Sequence, residues 1–229
     1  MAKNLRLMLQ PETLSFLSHL RENNSREWFE ANKGQYESAR ADFESFISKL
    51  KETLTPVIPE LETQTAKSLL FRVYRDVRFS KDKTPYKTHF SAYFSRAGRK
   101  ATDAGFYLHV SPGASHLSTG MWEPQGAVLK AVRQEIDYAF DELQGILQDK
   151  DFRKIFGEMK GDRLRTLPQG YTADNPAIET LKHKSFLFSH PLPDAFLNRK
   201  DAVRQLAGMA ATAAPFVAFL NRGMDDVAG

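Results

Sequence analysis

The sequence predicts an α+β fold in which N-terminal and C-terminal helices pack on one face of an antiparallel β-meander of three to five strands. Apolar residues recur every three or four positions in the first and last parts of the chain, but alternate with polar residues in the middle. Short turn sequences separate the alternating stretches, which favours antiparallel neighbours. The absence of repeats and low-complexity linkers predicts a single domain over 1–229, helical in 11–55 and 124–222, with the meander in 67–122.

The N-terminal helices follow from leucine spacing and stop signals. Residues 11–20 carry leucines at helical intervals, and an Asn-Asn pair ends that stretch. Ser25 is placed to cap a second, long helix that reaches about Leu54, where two prolines follow. We expect this part of the chain to supply one apolar stripe to the core.

Three stretches between residues 71 and 110 alternate with period two and are predicted strands. Residues on one parity should face the helices: Phe71, Val73, Val77, Phe79, Phe90, Ala92, Phe94, Phe106, Leu108 and Val110. The other parity carries Arg72, Tyr74, Asp76, Arg78, His89, Ser91, Tyr93, Tyr107 and His109. SHLSTGMW and KSFLFSH (184–190) are candidates for further strands.

Helical periodicity returns after Trp122. An apolar face predicts one helix from about Pro124 to about Leu147, with shorter helices near 152–156 and 176–181. The last helix should run from about Lys200 to Arg222 and be broken or restarted at Pro215.

The composition is that of an ordinary globular protein, with 41% hydrophobic and 26% charged residues among 229. The chain has no cysteine, which excludes disulfides, thiolate zinc sites and cysteine nucleophiles. The N-terminus lacks the apolar core of a signal peptide, and the longest uncharged run, Ala207–Leu220, is shorter than the roughly 18 residues of a membrane span. We therefore expect a cytoplasmic protein with no membrane segment.

The excess of positive over negative charge is concentrated in one segment, RVYRDVRFSKDKTPYKTH (72–89). It holds six Lys or Arg and two Asp, a net charge of +4, which equals the net charge of the whole chain. The remaining residues are therefore neutral in sum. Lysines, hydroxyls and backbone N–H groups in one turn suit a phosphate, sulfate or carboxylate.

Arg75 falls on the parity that should face the core. A buried guanidinium requires a counter-charge, a β-bulge that turns it outward, or a ligand. We predict a structural salt bridge to an acid on a helix, with an anion site as the alternative.

Catalytic and metal motifs are missing from the sequence. It contains no GxxxxGK[ST], GxGxxG, GxSxG or HExxH pattern. His89, His109 and His116 could gather on the sheet, but their separations match no metal-ligand motif, so we predict neither a metal nor a cofactor. Asp76 and His89 are the candidates for proton transfer.

Five stretches of the chain carry a resemblance to a known family: FLSHLRENNSREWFEANKGQYE, FRVYRDVRFSKDKTPYKTH, STGMWEP, LRTLPQGYTADNP and LKHKSF. Together they resemble the uncharacterised Domain of Unknown Function 2461 family of conserved hypothetical proteins, found in bacteria and fungi. The resemblance covers roughly residues 10–222 and departs from many members at Pro168-Gln169-Gly170, where they carry Pro-Lys-Gly. It implies a single domain and supplies no activity or site residue.

Three functional hypotheses remain open. The first is a site for a small anionic ligand, formed by Arg72, Arg75, Arg78, Lys81, Lys83, Tyr86, Lys87, His89, Tyr107, His109 and Trp122. The second is a nucleic-acid surface in which bases stack on Tyr74, Tyr93 and Tyr107. The third is a structural role, in which the Arg and Asp residues of segment 72–89 tie the meander to the helices. Whether the protein is an enzyme, and its oligomeric state, stay open.

Overall fold

A computed structural model describes residues 7–100 and 102–224 and has the predicted α+β class. Ten α-helices are assigned in these residues: α1 Pro11–Glu22, α2 Arg26–Ala31, α3 Lys33–Leu54, α4 Ala66–Leu69, α5 Gly126–Tyr138, α6 Phe140–Gln148, α7 Lys150–Phe156, α8 Ile178–Leu181, α9 Asp194–Leu197 and α10 Ala202–Arg222. A 3-10 turn covers Pro59–Thr63. The strands β1 Phe90–Phe94, β2 Gly105–Val110, β3 Ser115–Met121 and β4 Phe186–Leu192 form one antiparallel sheet in the order β1-β2-β3-β4.

The described residues form two compact units. The first contains residues 7–99, 107–117 and 191–208, and the second contains 100, 102–106, 118–190 and 209–224. The prediction of a single domain over 1–229 therefore stays a prediction.

The first unit has an aromatic core between α1, α3 and β1. The Phe90 ring lies 5.4 Å from that of Phe43 and 6.5 Å from that of Phe16, centroid to centroid. Both pairs are stacked rather than edge-on, and such contacts add about 1 kcal/mol each to the burial of the rings. Phenylalanines thus form a contiguous part of the core.

A buried carboxylate on α3 fixes the start of α1. The residue before α1, Gln10, gives no side-chain cap. Asp42 takes the place of a capping side chain. Its Oδ2 accepts hydrogen bonds from the backbone N–H of Gln10 at 2.9 Å and from the hydroxyl of Thr13 at 2.7 Å. A donor at a helix N-terminus is thereby satisfied by a neighbouring helix.

The second unit packs α7, β4 and α10 around three phenylalanines. Phe188 lies 4.9 Å from Phe152 and 5.1 Å from Phe216 between ring centroids, and both pairs are nearly perpendicular. In the same unit β3 contains Gly120 at φ +114°, where a Cβ atom would lie 1.9 Å from the carbonyl oxygen of Phe186. The strand pairing at this point therefore requires glycine.

Three predicted helix boundaries are wrong. The long helix predicted from Ser25 is interrupted at Asn32, where φ −112° and ψ 18° separate α2 from α3. The helix predicted after Trp122 is likewise divided at Ala139. In contrast, α10 continues through Pro215 instead of breaking there.

Four of the five predicted strands are present and one is not. β1 and β2 are confirmed, and β3 and β4 coincide with the two further candidates. The first predicted strand is wrong, because residues 71–79 form a single isolated bridge, at Tyr74, and Phe79 is 95% exposed instead of buried. Its parity breaks at Leu70, which pairs with Ala92 and is buried, so the adjacent Phe71 points away from the core.

Helix α10 is the one described helix whose length and apolar composition would allow it to cross a membrane. Half of its apolar window is buried within the protein, as expected for a helix that contributes to a core.

The close approach at Gly120 gives a test of the second unit. We expect Gly120→Ala to lower the free energy of unfolding by about 3 kcal/mol or more, because the new Cβ overlaps backbone at a positive φ. Gly145→Ala in α6 is the matched control: nothing lies within 4 Å of its added Cβ, and replacing a helical glycine should stabilise by about 0.5–1 kcal/mol. Urea denaturation measures both, and equal unfolding midpoints for Gly120→Ala and wild type would contradict this packing.

Candidate functional site

The basic segment 72–89 folds as an irregular hairpin. Tyr74 and Tyr86 form an antiparallel bridge. Two backbone hydrogen bonds flank it, from Arg75 N–H to the Pro85 carbonyl at 2.9 Å and from Lys87 N–H to the Val73 carbonyl at 2.7 Å. The turn between residues 75 and 85 is held by side chains.

Asn24 anchors the returning arm of this hairpin. Its Nδ2 donates to the Tyr86 carbonyl at 2.9 Å, and its Oδ1 accepts from the Tyr86 N–H at 3.1 Å. The Tyr86 ring is buried and stacks on Phe29 with centroids 4.0 Å apart. Tyr86, predicted to pack against a ligand, therefore lies in the core instead.

The two acids of the hairpin, Asp76 and Asp82, bind arginines of the same hairpin. Asp82 accepts hydrogen bonds from Arg75, which also contacts Thr84 and Ser80. Asp76 forms a two-point ion pair with Arg78. The predicted salt bridge of Arg75 to a helix acid is therefore wrong, because its partner is in the adjacent turn and its side chain is 24% exposed.

This pairing identifies the unbalanced cations. With Arg75 and Arg78 neutralised by the two acids, the excess of four charges in the segment consists of Arg72, Lys81, Lys83 and Lys87. Lys81 and Lys83 lie on the exposed turn, where Lys83 Nζ donates to the Val77 carbonyl at 3.0 Å. Arg72 and Lys87 lie at the other end of the hairpin, beside the sheet.

Four side chains on the polar side of β1, β2 and β3 form what we call the histidine face: His89, Tyr107, His109 and His116. The His109 ring lies 4.1 Å from the His89 ring and 4.6 Å from the His116 ring, centroid to centroid. The Tyr107 hydroxyl is 3.3 Å from Nδ1 of His109, a distance at which it can donate to a neutral imidazole. All four side chains are partly exposed.

Three cations, Arg72, Lys87 and Arg99, form a second group that we call the cation group. Lys87 Nζ lies 5.4 Å and Arg99 Cζ lies 5.3 Å from the centre of the Phe71 ring. Phe71 in turn meets Tyr107 edge-on at 5.9 Å between centroids, which joins the cation group to the histidine face. Arg99 is also held by a hydrogen bond to the Leu70 carbonyl.

Burial and neighbouring cations lower the pKa values of His89, His109 and Lys87. The pKa of His89 falls to about 4, through burial first and then Lys87 and His116. The pKa of His109 falls to about 3, through burial and then His89, His116 and Lys87. Burial, then Arg72 and Arg99, also lower the pKa of Lys87. Within the described residues, no carboxylate figures among the charged groups acting on these three side chains.

The pair His89 and His109 has room for one proton at most. Two charges 4.1 Å apart repel each other by about 4 kcal/mol at an effective dielectric constant of about 20. The lowered pKa values of His89 and His109 leave both rings neutral near pH 7. Burial also raises the pKa of Tyr107, against a smaller opposite effect of its hydrogen bond with Ser91. The phenol accordingly stays protonated and available as a donor.

The arrangement does not match a metal centre. Across residues 7–100 and 102–224, no group of three or more His, Asp or Glu side chains is placed to hold a metal ion. The rings of His109 and His116 are stacked, and the ring of His89 is tilted by 32° against that of His109, so the three imidazoles contact one another through their rings.

The structure brings together part of the predicted set. Lys87, His89, Tyr107 and His109 lie on or beside one face, with Arg72 close to Lys87. The other predicted residues lie elsewhere: Arg75, Arg78, Lys81 and Lys83 in the turn, Asp76 in an exposed ion pair with its pKa lowered by Arg78, Tyr86 in the core, and Trp122 in the second unit with 70% of its surface exposed.

Sequence reasoning missed Arg99 and Phe71, and considered His116 only as a metal ligand. Arg99 lies in a loop with no periodic pattern, so nothing in its surroundings indicated its position. Phe71 was assigned to the core because the parity break at Leu70 is not visible in the sequence.

A wide groove of about 1530 Å³ lies along α1 and α3 in the first unit. Its walls are mainly small polar side chains, including Ser15, Ser38 and Ser48, with acids and lysines both present. Its four acids outnumber its two lysines, so the groove has no excess of positive charge. The histidine face is therefore the better candidate site for an anion.

Comparison with protein families gives one match: the model of the conserved hypothetical protein family DUF2461 matches residues 12–219, most of the chain. No curated protein and no solved structure matches.

The turn network predicts different costs for two arginine substitutions. Arg75→Ala should lower the free energy of unfolding by about 1 kcal/mol and speed amide exchange in residues 76–84, since Arg75 joins three side chains of the turn. Arg78→Ala, at a side chain 76% exposed with one acidic partner, is the control and should change stability less than Arg75→Ala does. Urea denaturation and hydrogen exchange measure these effects. A loss of several kcal/mol for Arg75→Ala would favour the structural hypothesis.

The histidine face predicts a loss of stability in acid. Its pKa values of about 4 and about 3 lie below the ordinary 6.5, so the unfolded chain takes up protons first as the pH falls below about 6.5. At pH 5 each ring should contribute a loss of about 1 kcal/mol, which allows for its partial exposure.

Urea denaturation at pH 7 and pH 5 measures this loss. The double variant His89→Asn/His109→Asn should show a smaller difference between the two pH values than the wild type. His19→Asn, at an exposed site on α1, is the control. An unchanged difference in the double variant would show that other groups cause the acid sensitivity.

Proposed function

We propose that this chain, which belongs to the DUF2461 family of conserved hypothetical proteins, binds a small anionic ligand at the histidine face. The anion would lie within reach of the cation group, and the imidazoles and the Tyr107 hydroxyl would supply neutral hydrogen bonds. We also propose a cytoplasmic location, in keeping with the absence of cysteine.

The observation that carries this proposal is the unbalanced charge around Lys87. Its ammonium group is partly buried next to Arg72 and Arg99, both of which lower its pKa, and no carboxylate in the described residues offsets them. Positive charges next to a partly buried ammonium group destabilise the protein unless an anion offsets them. A bound anion would relieve that repulsion. Charged groups with perturbed pKa values often mark a binding site for this reason.

The surroundings indicate a ligand that is small and has an anionic head. Phe71 and Tyr107 offer apolar contact beside the cations, at 5.9 Å from each other. Donors come from Lys87, the histidines and the tyrosine, which suits phosphoryl, sulfuryl or carboxylate oxygens. Proton transfer by His89 or His109, which are neutral near pH 7, is the chemistry that such a site could add.

Nucleic-acid binding is the second candidate, and one observation favours it. The hairpin exposes Tyr74 by 50% and Phe79 by 95% among Lys81, Lys83 and Arg72, and exposed aromatic rings among cations suit single strands. Fluorescence anisotropy with labelled oligonucleotides at low salt tests this alternative, which requires binding that weakens steeply with added salt.

Lys87→Met is the variant that tests the anion proposal. Methionine keeps the apolar stem and removes the charge, so phosphate should bind about 10- to 100-fold more weakly, as expected for loss of a charge-assisted hydrogen bond. Lys67→Met, at an exposed lysine of α4 in the same unit, is the matched control and should bind as the wild type does. Isothermal titration calorimetry with phosphate at low ionic strength measures the affinity.

Circular dichroism and urea denaturation confirm that the Lys87→Met variant is folded. We expect it to be at least as stable as the wild type, because a partly buried cation has been removed. Equal phosphate affinity in both variants, or no phosphate binding by the wild type, would refute the proposed site.

A further inference from the structure

The histidine face has a feature that a simple anion site does not require. Three imidazoles from three neighbouring chain segments lie next to one another, with the centroid of His109 4.1 Å from that of His89 and 4.6 Å from that of His116. Contact with one anion would need only one or two of them. A row of touching imidazoles places groups that can accept a proton immediately beside Lys87.

We propose that the site takes up a divalent oxyanion of the sulfate or phosphate type together with one proton, which the pair His89 and His109 receives as the anion binds. This rests on the proposed function, since it concerns the same site. No bond is formed or broken in the ligand: the proton comes from solvent and is shared by the two rings.

The charged and titratable groups around the pair explain why the proton arrives with the ligand. Lys87 faces it from the hairpin, His116 from β3 and Tyr107 from β2, while Arg72 and Arg99 stand around Lys87. These groups are cations or neutral donors. Without a bound anion, Lys87 and His116 oppose a further positive charge on either ring, in agreement with the lowered pKa values of both histidines.

A bound dianion reverses this balance. It provides the counter-charge that the site lacks and thereby raises the proton affinity of the nearest imidazole. By linkage, the anion must then bind more tightly at lower pH, by at most ten-fold per pH unit when one proton is taken up. The repulsion between the two rings limits the uptake to one proton.

Charge balance also favours a divalent ligand over a single carboxylate. Arg72, Lys87 and Arg99 carry three positive charges, and the added proton makes four. A carboxylate would offset only one of them, whereas sulfate or the dianion of phosphate offsets two. The cations that remain unpaired keep the site selective for negative charge.

Sulfate is the probe that separates the protein's protons from those of the ligand, because its charge stays constant between pH 5 and pH 8. Titration calorimetry at pH 6, in two buffers of different ionisation enthalpy and with EDTA present, gives the number of protons taken up per sulfate. We expect uptake between zero and one proton in the wild type, and sulfate affinity that rises about ten-fold or more from pH 7.5 to pH 5.5.

The deciding variant is His89→Asn/His109→Asn, since in either single variant the remaining ring can still take the proton. We expect it to bind sulfate more weakly and with no proton uptake, while circular dichroism shows that it is folded. His19→Asn, at an exposed histidine of α1, is the matched control and should retain the uptake of the wild type.

The outcomes separate this inference from the proposed function. Sulfate binding by the wild type without proton uptake, or uptake that persists in the double variant, would overturn the inference and leave the anion site in place. Absence of sulfate and phosphate binding at every pH would overturn both.

Discussion

Burial of alternate residues in β1 and β2 is the constraint on which the candidate site depends. Phe90, Ala92 and Phe94 are buried in β1, and Phe106, Leu108 and Val110 are buried in β2. Neighbouring residues of a strand point to opposite sides, so the burial of these six fixes the side on which the polar residues stand. Cross-strand spacing then brings His109 against its neighbours on both sides. The contacts among the three imidazoles are therefore a consequence of how the apolar side packs.

The electrostatics of the site follow from how the hairpin distributes its charges. Asp76 and Asp82 each form an ion pair with an arginine of the turn, so neither is left to neutralise the cation group. The positive excess is divided in two, with Lys81 and Lys83 on the exposed turn and Arg72 and Lys87 beside the sheet. Lys87 is partly buried, so its charge is less screened by water than the charges of Lys81 and Lys83 on the exposed turn.

The sequence allowed the α+β class to be predicted, because helical periodicity at both ends of the chain and period-two alternation between them are both visible in it. The same alternation predicted the strands β1 and β2 and put His89 and His109 on one face. It could not place Arg99, which lies in a turn without periodicity. The core assignment of Phe71 and Phe79 failed because it assumed a regular strand, and the pairing of Leu70 with Ala92 ends that regularity. The partner of Arg75 could not be predicted for a similar reason, because a turn held by its own side chains shows no periodicity in the sequence.

The anchoring of Tyr86 by Asn24 has a consequence for the solution behaviour of the protein. The ladder bonds of the hairpin lie at Arg75 and Lys87, so the N–H and C=O of Tyr86 point outward from its partner arm. Outward backbone groups of this kind offer a template on which a strand from another molecule can add. The Asn24 amide occupies both of them at 3.1 Å and 2.9 Å, and so one side chain closes the hairpin's free edge to aggregation.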